Sequence, residues 1–449
     1  MKKSSRFVLL YFFLLMCGAT ANENLLTIES EIDGLTVEIN ENPRGILSKN
    51  TPQVFMIEEG IGTGGFGFHR VIFHKELNAT HELYGEKEFK YKPYDKIVVN
   101  QKKIRPHLKR ALLAKENGLL HTIKLKHQYA SHFELDDDYL YVLTQSRTKV
   151  YSKRKREAND AEYLEIYDRK TLALRKEIFL NDQSTDSFDR DIVLHQGILY
   201  VTSKKGKVVF WEKKNLLTQV PKEFPSSVYE LDKLRVGGEY LFRFGKGGVV
   251  EIYQKELHVK TIDTKKHRFK EYETLEDKRF NNIFDVLYVD DKLFIANDLG
   301  EVQVYRFSSH ASTPVYLTSL RDATLKDAHD VLDLTLYGKS TLLIGTDRQG
   351  LYGYNVRTLE PTIHIPSIGK YSSIYQMHIA EETLLLTYGI DVSSLEAYDM
   401  RGKMLVHHFE GEALGISDFK VKDTIAYTLD NGYLYGWDMS KIKTKNSLK

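Results

Sequence analysis

A unit of strand-forming sequence recurs from about residue 119 to the end of this 449-residue chain, at intervals of about 45 residues. Each unit has a short apolar strand, a turn or loop, and a second strand that ends in an aromatic residue followed by a polar or charged one. The seven aromatic residues are Tyr167, Trp211, Tyr253, Tyr305, Tyr354, Tyr398 and Trp437. A unit this short cannot bury an apolar face alone, so neighbouring units must stack to form one core.

The turns inside the units indicate β-structure. In five of the seven units a glycine stands four or five residues before the aromatic residue: Gly206, Gly248, Gly300, Gly350 and Gly432. Asn431-Gly432 and Gly247-Gly248 are typical of two-residue hairpin turns, which need positive φ angles. Short strands with turns at this spacing, and little helical periodicity, predict an all-β architecture. A propeller blade needs about four strands in a unit of this length.

The two ends of the repeat region complement each other. Little apolar sequence follows Trp437, so the last unit lacks a fourth strand. An apolar segment at 119–125 precedes the first unit and could supply that strand. Pairing of the two ends would close a ring and leave no unpaired strand edge at the junction.

Three dipeptides in the units point to a known superfamily. Trp437-Asp438 matches the Trp-Asp dipeptide of WD40 repeats, and Tyr167-Asp168 and Tyr398-Asp399 are close variants of it. Together with the repeat, they make residues 119–449 resemble the WD40 and quinoprotein-like β-propeller superfamily. The resemblance implies a seven-bladed ring with an exposed binding face, and it implies no particular activity.

Residues 22–118 do not follow the repeat. Alternation at 35–39 and apolar runs at 54–57 and 66–73 nevertheless predict strands. We interpret this segment as a separate β-rich cap or arm; the alternative is that it contributes an eighth blade. The predicted fold is therefore an all-β, seven-bladed β-propeller, with eight blades as the alternative, preceded by an N-terminal β-rich segment.

Residues 1–21 have the pattern of a secretory signal peptide. A basic start at Lys2, Lys3 and Arg6 is followed by an apolar stretch at 7–16. Ala19 and Ala21 then give the A-x-A cleavage pattern, so the mature chain would begin at Asn22. We therefore expect an exported protein, most simply in a bacterial periplasm or at a cell surface.

Cys17 is the one cysteine of the chain, and it lies inside this export segment. Its context, Leu14-Leu15-Met16-Cys17-Gly18, resembles the bacterial lipobox, in which the cysteine becomes lipid-modified. Plain secretion and lipid anchoring at Cys17 are thus alternative routes. Either way, the rest of the chain has no thiol with which to form a disulfide or a cysteine-ligated metal site.

The balance of charge argues against nucleic acid as a partner. The whole chain has 64 Lys and Arg residues against 62 Asp and Glu. Removal of the signal segment takes away Lys2, Lys3 and Arg6, which leaves 61 against 62, a formal charge of −1. Nucleic-acid-binding domains usually carry a strong basic excess. No window after the signal has 18 consecutive apolar residues, so we also expect no transmembrane helix.

Few residues stand out as a site. The basic run that ends with Lys153, Arg154, Lys155 and Arg156 lies between the two central strands of the first unit and is our candidate contact for a partner; the alternative is a solvated loop. We find no complete motif for a catalytic nucleophile, a metal site or a nucleotide-binding loop. The sequence therefore predicts no catalytic residues, no cofactor and no metal.

Two functions compete on these grounds. The favoured hypothesis is an exported, non-catalytic propeller that binds a protein partner or organises an envelope complex. The alternative is a propeller enzyme, a hydrolase or lyase, with carboxylates or histidines gathered at the central channel. Loops from several blades would build such a site, so spacing in sequence cannot reveal it. The oligomeric state stays open.

Overall fold

The computed structural model describes residues 25–39, 42–56, 68–79, 81–90, 96–99, 105–108, 114–127, 129–152, 155–181, 191–203, 207–224, 231–267, 282–298, 300–308, 313–320, 331–347, 349–365, 374–388, 395–401, 404–409, 416–430 and 432–442. The chain divides into two compact units, Met1–Lys109 and Arg110–Lys449, which we call the N-terminal unit and the propeller unit. In the described residues, helix is confined to one turn at 114–116 and three 3-10 turns, Lys213–Asn215, Thr264–His267 and Met439–Lys441. The chain is all-β, as predicted.

Eight strands form two sheets in the described part of the N-terminal unit. The strands are β1 (Leu25–Ser30), β2 (Leu35–Ile39), β3 (Asn42–Leu47), β4 (Gln53–Met56), β5 (Phe68–Glu76), β6 (His81–Lys90), β7 (Lys96–Val99) and β8 (Arg105–Leu108). One sheet has the order β4-β1-β7, with β1 parallel to β7, and the other has the order β3-β2-β5-β6-β8. Among the residues that the structure describes, these strands pair only with one another.

The core of the N-terminal unit follows from the period-two pattern of its strands. In β1 and β2 every second residue is buried, so that Leu26 and Ile28 pack with Leu35 and Val37 in one cluster. The strands predicted at 35–39, 54–57 and 66–73 correspond to β2, β4 and β5. The expectation of a β-rich N-terminal segment is confirmed.

The described part of the propeller unit holds seven four-stranded antiparallel sheets, which we call sheets 1 to 7. Sheet 1 contains β10 (Tyr129–Leu135), β11 (Tyr139–Ser152), β12 (Lys155–Asp168) and β13 (Leu174–Asn181). Sheet 2 contains β14 (Ile192–His195), β15 (Ile198–Ser203), β16 (Lys207–Glu212) and β17 (Lys222–Glu223). Sheet 3 contains β18 (Lys233–Gly237), β19 (Tyr240–Phe244), β20 (Val249–Gln254) and β21 (Leu257–Asp263). Sheet 4 contains β22 (Ile283–Val289), β23 (Lys292–Asn297), β24 (Val302–Arg306) and β25 (Val315–Leu320). Sheet 5 contains β26 (Val331–Tyr337), β27 (Thr341–Thr346), β28 (Leu351–Asn355) and β29 (Pro361–Ile365). Sheet 6 contains β30 (Ile374–Ala380), β31 (Thr383–Tyr388), β32 (Leu395–Asp399) and β33 (Met404–Phe409). Sheet 7 contains β34 (Asp418–Lys422), β35 (Ile425–Asp430), β36 (Tyr433–Asp438) and β9 (Leu119–Lys124).

The first strands of these sheets lie side by side in a closed ring. Each of them, in the order β10, β14, β18, β22, β26, β30 and β34, contacts the next, and β34 contacts β10 again. Sheet 7 is completed by β9, which pairs with β36 from Lys124 opposite Tyr433 to Leu119 opposite Trp437. The apolar segment before the first unit thus supplies the missing strand, as the sequence suggested, and the fold is propeller-like.

The propeller unit also takes in residues just before β9. Ala114 is fully buried and packs in one cluster with Phe409 and Trp437. The Asp438 N–H donates to the Gly118 carbonyl oxygen at 2.8 Å. The sequence placed the boundary at 118/119, where β9 begins, whereas the compact unit starts at Arg110 because these contacts tie 114–118 to sheet 7.

The repeat aromatic residues are buried between sheets, and several of them have a polar partner two residues earlier. Because residues i and i+2 of a strand share a face, the tyrosine hydroxyl reaches back to a buried carboxylate or amide oxygen. Tyr253 donates to Glu251 at 2.9 Å, Tyr305 to Gln303 at 2.8 Å, Tyr398 to Glu396 at 2.7 Å, and Tyr167 to Glu165. The side chain of Trp437 instead donates to the Thr428 hydroxyl at 2.9 Å. These five aromatic residues therefore join packing to the satisfaction of a buried polar group, whereas the indole N–H of Trp211 is buried without a hydrogen-bond partner among the described residues.

In the four units where the residue after the aromatic is Asp or Asn, it caps the turn that follows. Asp168 accepts hydrogen bonds from the backbone N–H groups of Lys170 at 3.0 Å and Thr171 at 2.8 Å. Asn355 does the same for two backbone N–H groups in sheet 5. Asp and Asn are suited to this position because their short side chains reach the backbone two residues on. In these units the aromatic-polar dipeptide of the sequence is thus a packing residue followed by a turn cap.

We predict that Gly436→Ala destabilises the propeller unit by about 1–3 kcal/mol, because overpacking of a tight site costs this much. A Cβ atom at Gly436 would lie 2.3 Å from Nε2 of His121, which sits on the paired strand β9. Denaturant unfolding of the single variant and of His121→Ala/Gly436→Ala measures the effect. The double variant should recover part of the loss, and a cost that stays the same without the imidazole would contradict the steric explanation.

Candidate functional site

Ionisable side chains converge at the centre of the ring of first strands. One residue near the start of each first strand is polar: His132, Asp191, Lys233, Asp285, Asp333, Gln376 and Asp418. Four more charged or titratable residues stand two positions later: Glu134, Arg235, His378 and Lys420. Arg235 of sheet 3 interacts electrostatically with carboxylates of sheets 1, 2, 4 and 5, so these side chains meet across the ring. We call this set the inner ring.

Side chains of the inner ring bind the backbone of the neighbouring sheet. In five places an oxygen of one first strand's residue accepts the backbone N–H of the next first strand: Asp191 from Leu234 at 2.9 Å, Asp285 from Leu334 at 2.8 Å, Asp333 from Met377 at 2.6 Å, Gln376 from Phe419 at 3.1 Å, and Asp418 from Phe133 at 3.0 Å. A first strand is the inner edge of its sheet, so these N–H groups have no strand partner. Buried backbone donors need an acceptor, and the neighbouring side chain supplies it.

The junction between sheets 3 and 4 uses cations instead. The Lys233 ammonium donates to the Phe284 carbonyl oxygen at 3.2 Å and lies 5.1 Å from the centroid of the same residue's ring. The Arg235 guanidinium lies 3.5 Å from an oxygen of Asp285 and donates to the Leu334 carbonyl oxygen at 3.1 Å. Arg235 therefore bridges sheets 3, 4 and 5, and the charge of Asp285 raises its pKa.

The closing junction between sheets 7 and 1 is bonded through Asp418 and Lys420 of sheet 7. Asp418 accepts a hydrogen bond from the Gln376 amide at 2.6 Å and has the His132 ring 3.7 Å away. The Lys420 ammonium lies 3.6 Å from a Glu134 oxygen. These contacts tie the inner edges of sheets 6, 7 and 1 together.

The pKa shifts at this junction follow from burial and from these contacts. Burial by itself would raise the pKa of Asp418, but the charges of Lys420 and His132 hold it below its ordinary value. For His132 burial acts downward, but the nearby carboxylates of Asp418 and Asp191 together outweigh it, so the pKa of His132 is raised. Burial raises the pKa of Glu134, although Lys420 opposes the shift. Asp418 therefore stays ionised and helps to keep a proton on His132.

The candidate residues from the basic run do not belong to the inner ring. Lys153 and Arg154 lie outside the described residues. The backbone of Lys155 pairs with Ser152, and that of Arg156 with Tyr151, at the far end of the β11–β12 hairpin. Pairing of β11 with β12 continues well past Gln145 and Glu162, where the outer strands β10 and β13 stop. The run is thus part of an extended hairpin.

Two other predictions can be placed only in part. Cys17 and the rest of 1–21 lie outside the described residues, so the export segment and the lipidation site stay predictions. None of the helices in the described part of the chain is both long and apolar enough to cross a membrane.

A group with metal-ligand chemistry occurs in sheet 1, away from the inner ring. The ligand atoms of His127, Glu165 and Glu177 lie within 4.8 Å of one another. Glu165 accepts hydrogen bonds from the backbone N–H of His127 at 3.0 Å and from the Thr144 hydroxyl at 2.8 Å, besides its bonds to the Lys126 N–H and to Tyr167. The Lys126 ammonium lies 2.8 Å from Glu177. These donors occupy the carboxylate oxygens, so the group is a polar support for the β9–β10 connection.

A cleft of about 500 Å³ opens at the rim between sheets 7 and 1. Its walls include Leu172, Ile425 and Tyr427, and Arg169 spans it by donating to the Asp136 carbonyl oxygen at 3.0 Å and pairing with Asp423. The other acidic residues at this rim are also paired: Asp137 with Lys422 at 2.7 Å and Asp138 with Lys213 at 2.9 Å. The charges of the cleft therefore compensate one another.

The inner ring was not predicted from the sequence, although a pattern for it exists. At the start of each first strand a polar residue directly precedes an apolar one, as in Asp285-Val286, Asp333-Leu334 and Asp418-Phe419. The pattern recurs with the same period as the aromatic residues. Its meaning depends on which edge of the sheet faces inward, and the residue types alone do not show that.

Comparisons with known proteins bear on the fold. No family model matches the chain, and none of the curated proteins matches it. Among solved structures, a chain of the mitotic checkpoint complex is similar, with a TM-score of 0.54 and 10% identity over 72% of this chain and 92% of that one. The computationally designed Ika8 protein gives a TM-score of 0.48 and 9% identity, over 72% and 99% of the two chains. At such identities the first likeness supports a propeller-like fold and nothing more.

We predict that Asp418→Ala lowers the free energy of unfolding by about 1–3 kcal/mol, because it leaves the buried Phe133 N–H without an acceptor. Asp418→Asn, which keeps one acceptor oxygen, should cost less. Because the pKa of Asp418 is lowered in the folded protein, its stabilisation is full above its unfolded pKa and is lost as the pH falls through the folded value. Both variants should therefore lose less stability on acidification than the wild type.

Denaturant unfolding at several pH values measures both effects. Asp137→Ala, at an exposed rim position, is the matched control and should change little. An Asp418→Ala variant as stable as the wild type would show that the inner-ring bond contributes nothing to closure.

Proposed function

We propose that this chain is an exported, non-catalytic propeller that binds a protein partner or organises a complex at the cell envelope. One observation carries the proposal: the inner-ring carboxylates of Asp191, Asp285, Asp333 and Asp418 accept backbone N–H groups of neighbouring sheets. Oxygens that hold the sheets together are poorly placed to act on a substrate, because protonating or displacing them would break those bonds. The propeller-like fold is consistent with a scaffold and does not by itself select one.

The alternative is a hydrolase or lyase with its site at the centre of the ring. It is favoured by the convergence of His132, Glu134 and Lys420, whose side chains are 35%, 18% and 29% exposed. A base, an acid and a cation in reach of solvent could in principle serve acid–base chemistry. Turnover of a small molecule by the purified protein that Glu134→Gln abolishes, without loss of folding, would favour this alternative over the scaffold.

Crosslinking in cells tests the scaffold proposal. Photo-crosslinking residues at Leu257 and Val315, which are 75% and 53% exposed on the outer strands β21 and β25, should capture one reproducible protein partner. The measurement is mass spectrometry of crosslinked bands, with unirradiated cells as background. Recovery of no partner above background from these positions or from the β11–β12 hairpin would contradict the proposal.

The same experiment tests the basic run as a contact. Reversal of charge at Lys153, Arg154, Lys155 and Arg156 to Glu should reduce partner capture at least tenfold if these residues bind it, because rim charges mainly steer association. The matched control is Lys265→Glu/Lys266→Glu, an exposed basic pair in the same unit. Equal capture by both variants would mean that the run is a solvated loop.

The export route has its own measurement. We expect the mature chain to begin at Asn22, because Ala19 and Ala21 provide the cleavage pattern. Sequencing of the mature N-terminus by mass spectrometry decides between the routes. A blocked, lipid-bearing N-terminus at Cys17 would establish the membrane anchor instead, and an uncleaved chain that begins at Met1 would contradict export.

A further inference from the structure

Two carboxyl groups of the inner ring face each other on neighbouring strands. Asp285 on β22 and Asp333 on β26 occupy equivalent positions, and the two residues are 4% and 6% exposed. Gln376 and Asp418 occupy the same positions on β30 and β34, and their side chains bond at 2.6 Å. Asp285 accepts the N–H of Leu334, the residue after Asp333, so the two carboxyl groups are placed side by side in the same way. Each also accepts the backbone N–H of the next first strand, from Leu334 and from Met377. The pair is therefore part of the structural bonding between sheets 4, 5 and 6.

One cation serves both of these carboxyl groups. The Arg235 guanidinium lies 3.5 Å from Asp285 and is held in place by its bond to the Leu334 carbonyl oxygen. The Lys233 ammonium is directed to the Phe284 carbonyl oxygen. The other charged or titratable residues of the inner ring face Arg235 or one another across the ring: His132, Glu134, Asp191, His378, Asp418 and Lys420. Two buried negative charges beside one positive charge leave one carboxylate uncompensated, which is costly away from water.

We propose that Asp285 and Asp333 hold one proton between them, and that its loss on alkalinisation weakens the junction between sheets 4, 5 and 6. With one proton the pair carries a single negative charge, which Arg235 balances, and the proton forms a hydrogen bond between the two carboxyl groups. When the proton leaves to solvent, that bond is lost and two like charges face each other. The inner ring thus contains a pH-sensitive junction, whatever the protein binds.

The direction of the pKa shift supports this geometry. Burial and the charge of Asp285 raise the pKa of Asp333 well above its ordinary value, although Arg235 opposes the shift. The native protein then binds one more proton than the unfolded chain between the ordinary pKa of an aspartate, about 4, and the upper pKa of the pair. Stability from this pair is full at low pH, falls as the pH rises through that window, and levels off above it.

Substitution by asparagine tests the shared proton. In Asp333→Asn the amide oxygen can still accept the Met377 N–H, and the amide N–H can replace the proton in the bond to Asp285. The wild type should lose stability relative to the variant as the pH rises. We therefore divide the unfolding equilibrium constant of the wild type by that of the variant, and expect this ratio to rise by up to tenfold per pH unit within the window and then to stay constant. Asp285→Asn should behave in the same way, since either change leaves one negative charge beside Arg235.

Two controls make the result specific. Asp136→Asn alters a carboxylate that also accepts backbone N–H groups but lies outside the inner ring; because the pKa of Asp136 is lowered, the ratio for it should stay flat above the ordinary pKa of an aspartate. Asp285→Asn/Asp333→Asn leaves Arg235 without a carboxylate partner from this pair and should be less stable than either single variant. Single variants whose ratio to the wild type does not change between about pH 4 and pH 9 would overturn the proposal.

A spectroscopic measurement tests the proton apart from stability. In protein labelled with 13C at the aspartate carboxyl carbons, the folded wild type should show a protonated carboxyl resonance at neutral pH. This resonance should disappear in Asp333→Asn and, in the wild type, at high pH. Its absence from the folded wild type at neutral pH would overturn the shared-proton assignment even if the variants change stability.

Discussion

The propeller unit depends on how it satisfies the inner edge of each sheet. A four-stranded antiparallel sheet has two edges, and the edge at the centre of a ring has no further strand of its own sheet beside it. In this chain a side chain of the preceding sheet accepts the exposed N–H, as Asp418 does for Phe133 and Asp333 does for Met377. Each bond satisfies a buried donor and also fixes one sheet against the next. The ring is therefore held by polar contacts at its centre and by apolar packing further out.

The outer packing has a polar component of the same kind. The tyrosines at the ends of the third strands fill the space between sheets, and their hydroxyl groups reach buried acceptors such as Glu251 and Glu396. A phenylalanine would pack as well but would leave the acceptor unpaired, which costs more than the hydrogen bond gains. This accounts for the preference for tyrosine at a position where the hydrophobic effect alone would accept any large apolar residue.

The sequence predicted the architecture better than the site, and the reason is physical. Strand period, turn residues and the recurrence of the aromatic residues are local properties, so the all-β propeller-like fold and the role of 119–125 in closing the ring could be predicted. The inner ring is made of residues such as Asp285 and Asp333, which are separated by a whole repeat and meet only when the sheets stack. The role of a single aspartate at the start of a strand cannot be predicted until it is known which edge of the sheet faces the centre of the ring. For the same reason the pairing of acids and bases in the rim cleft, such as Arg169 with Asp423, could not be read from spacing.

The pairing of β9 with β36 determines when the propeller unit can be completed. Leu119 on β9 pairs opposite Trp437 on β36, so β9 has its partner only when β36 has been synthesised. Contacts this far apart in sequence form late and slowly, because closing a long disordered loop has a high entropy cost, which falls once the intervening chain is ordered. Until then β9 and β35 both present open edges, the features most prone to pair with another chain. The six residues of β36 therefore separate a closed ring from an aggregation-prone intermediate, which makes this strand a kinetic as well as a structural element.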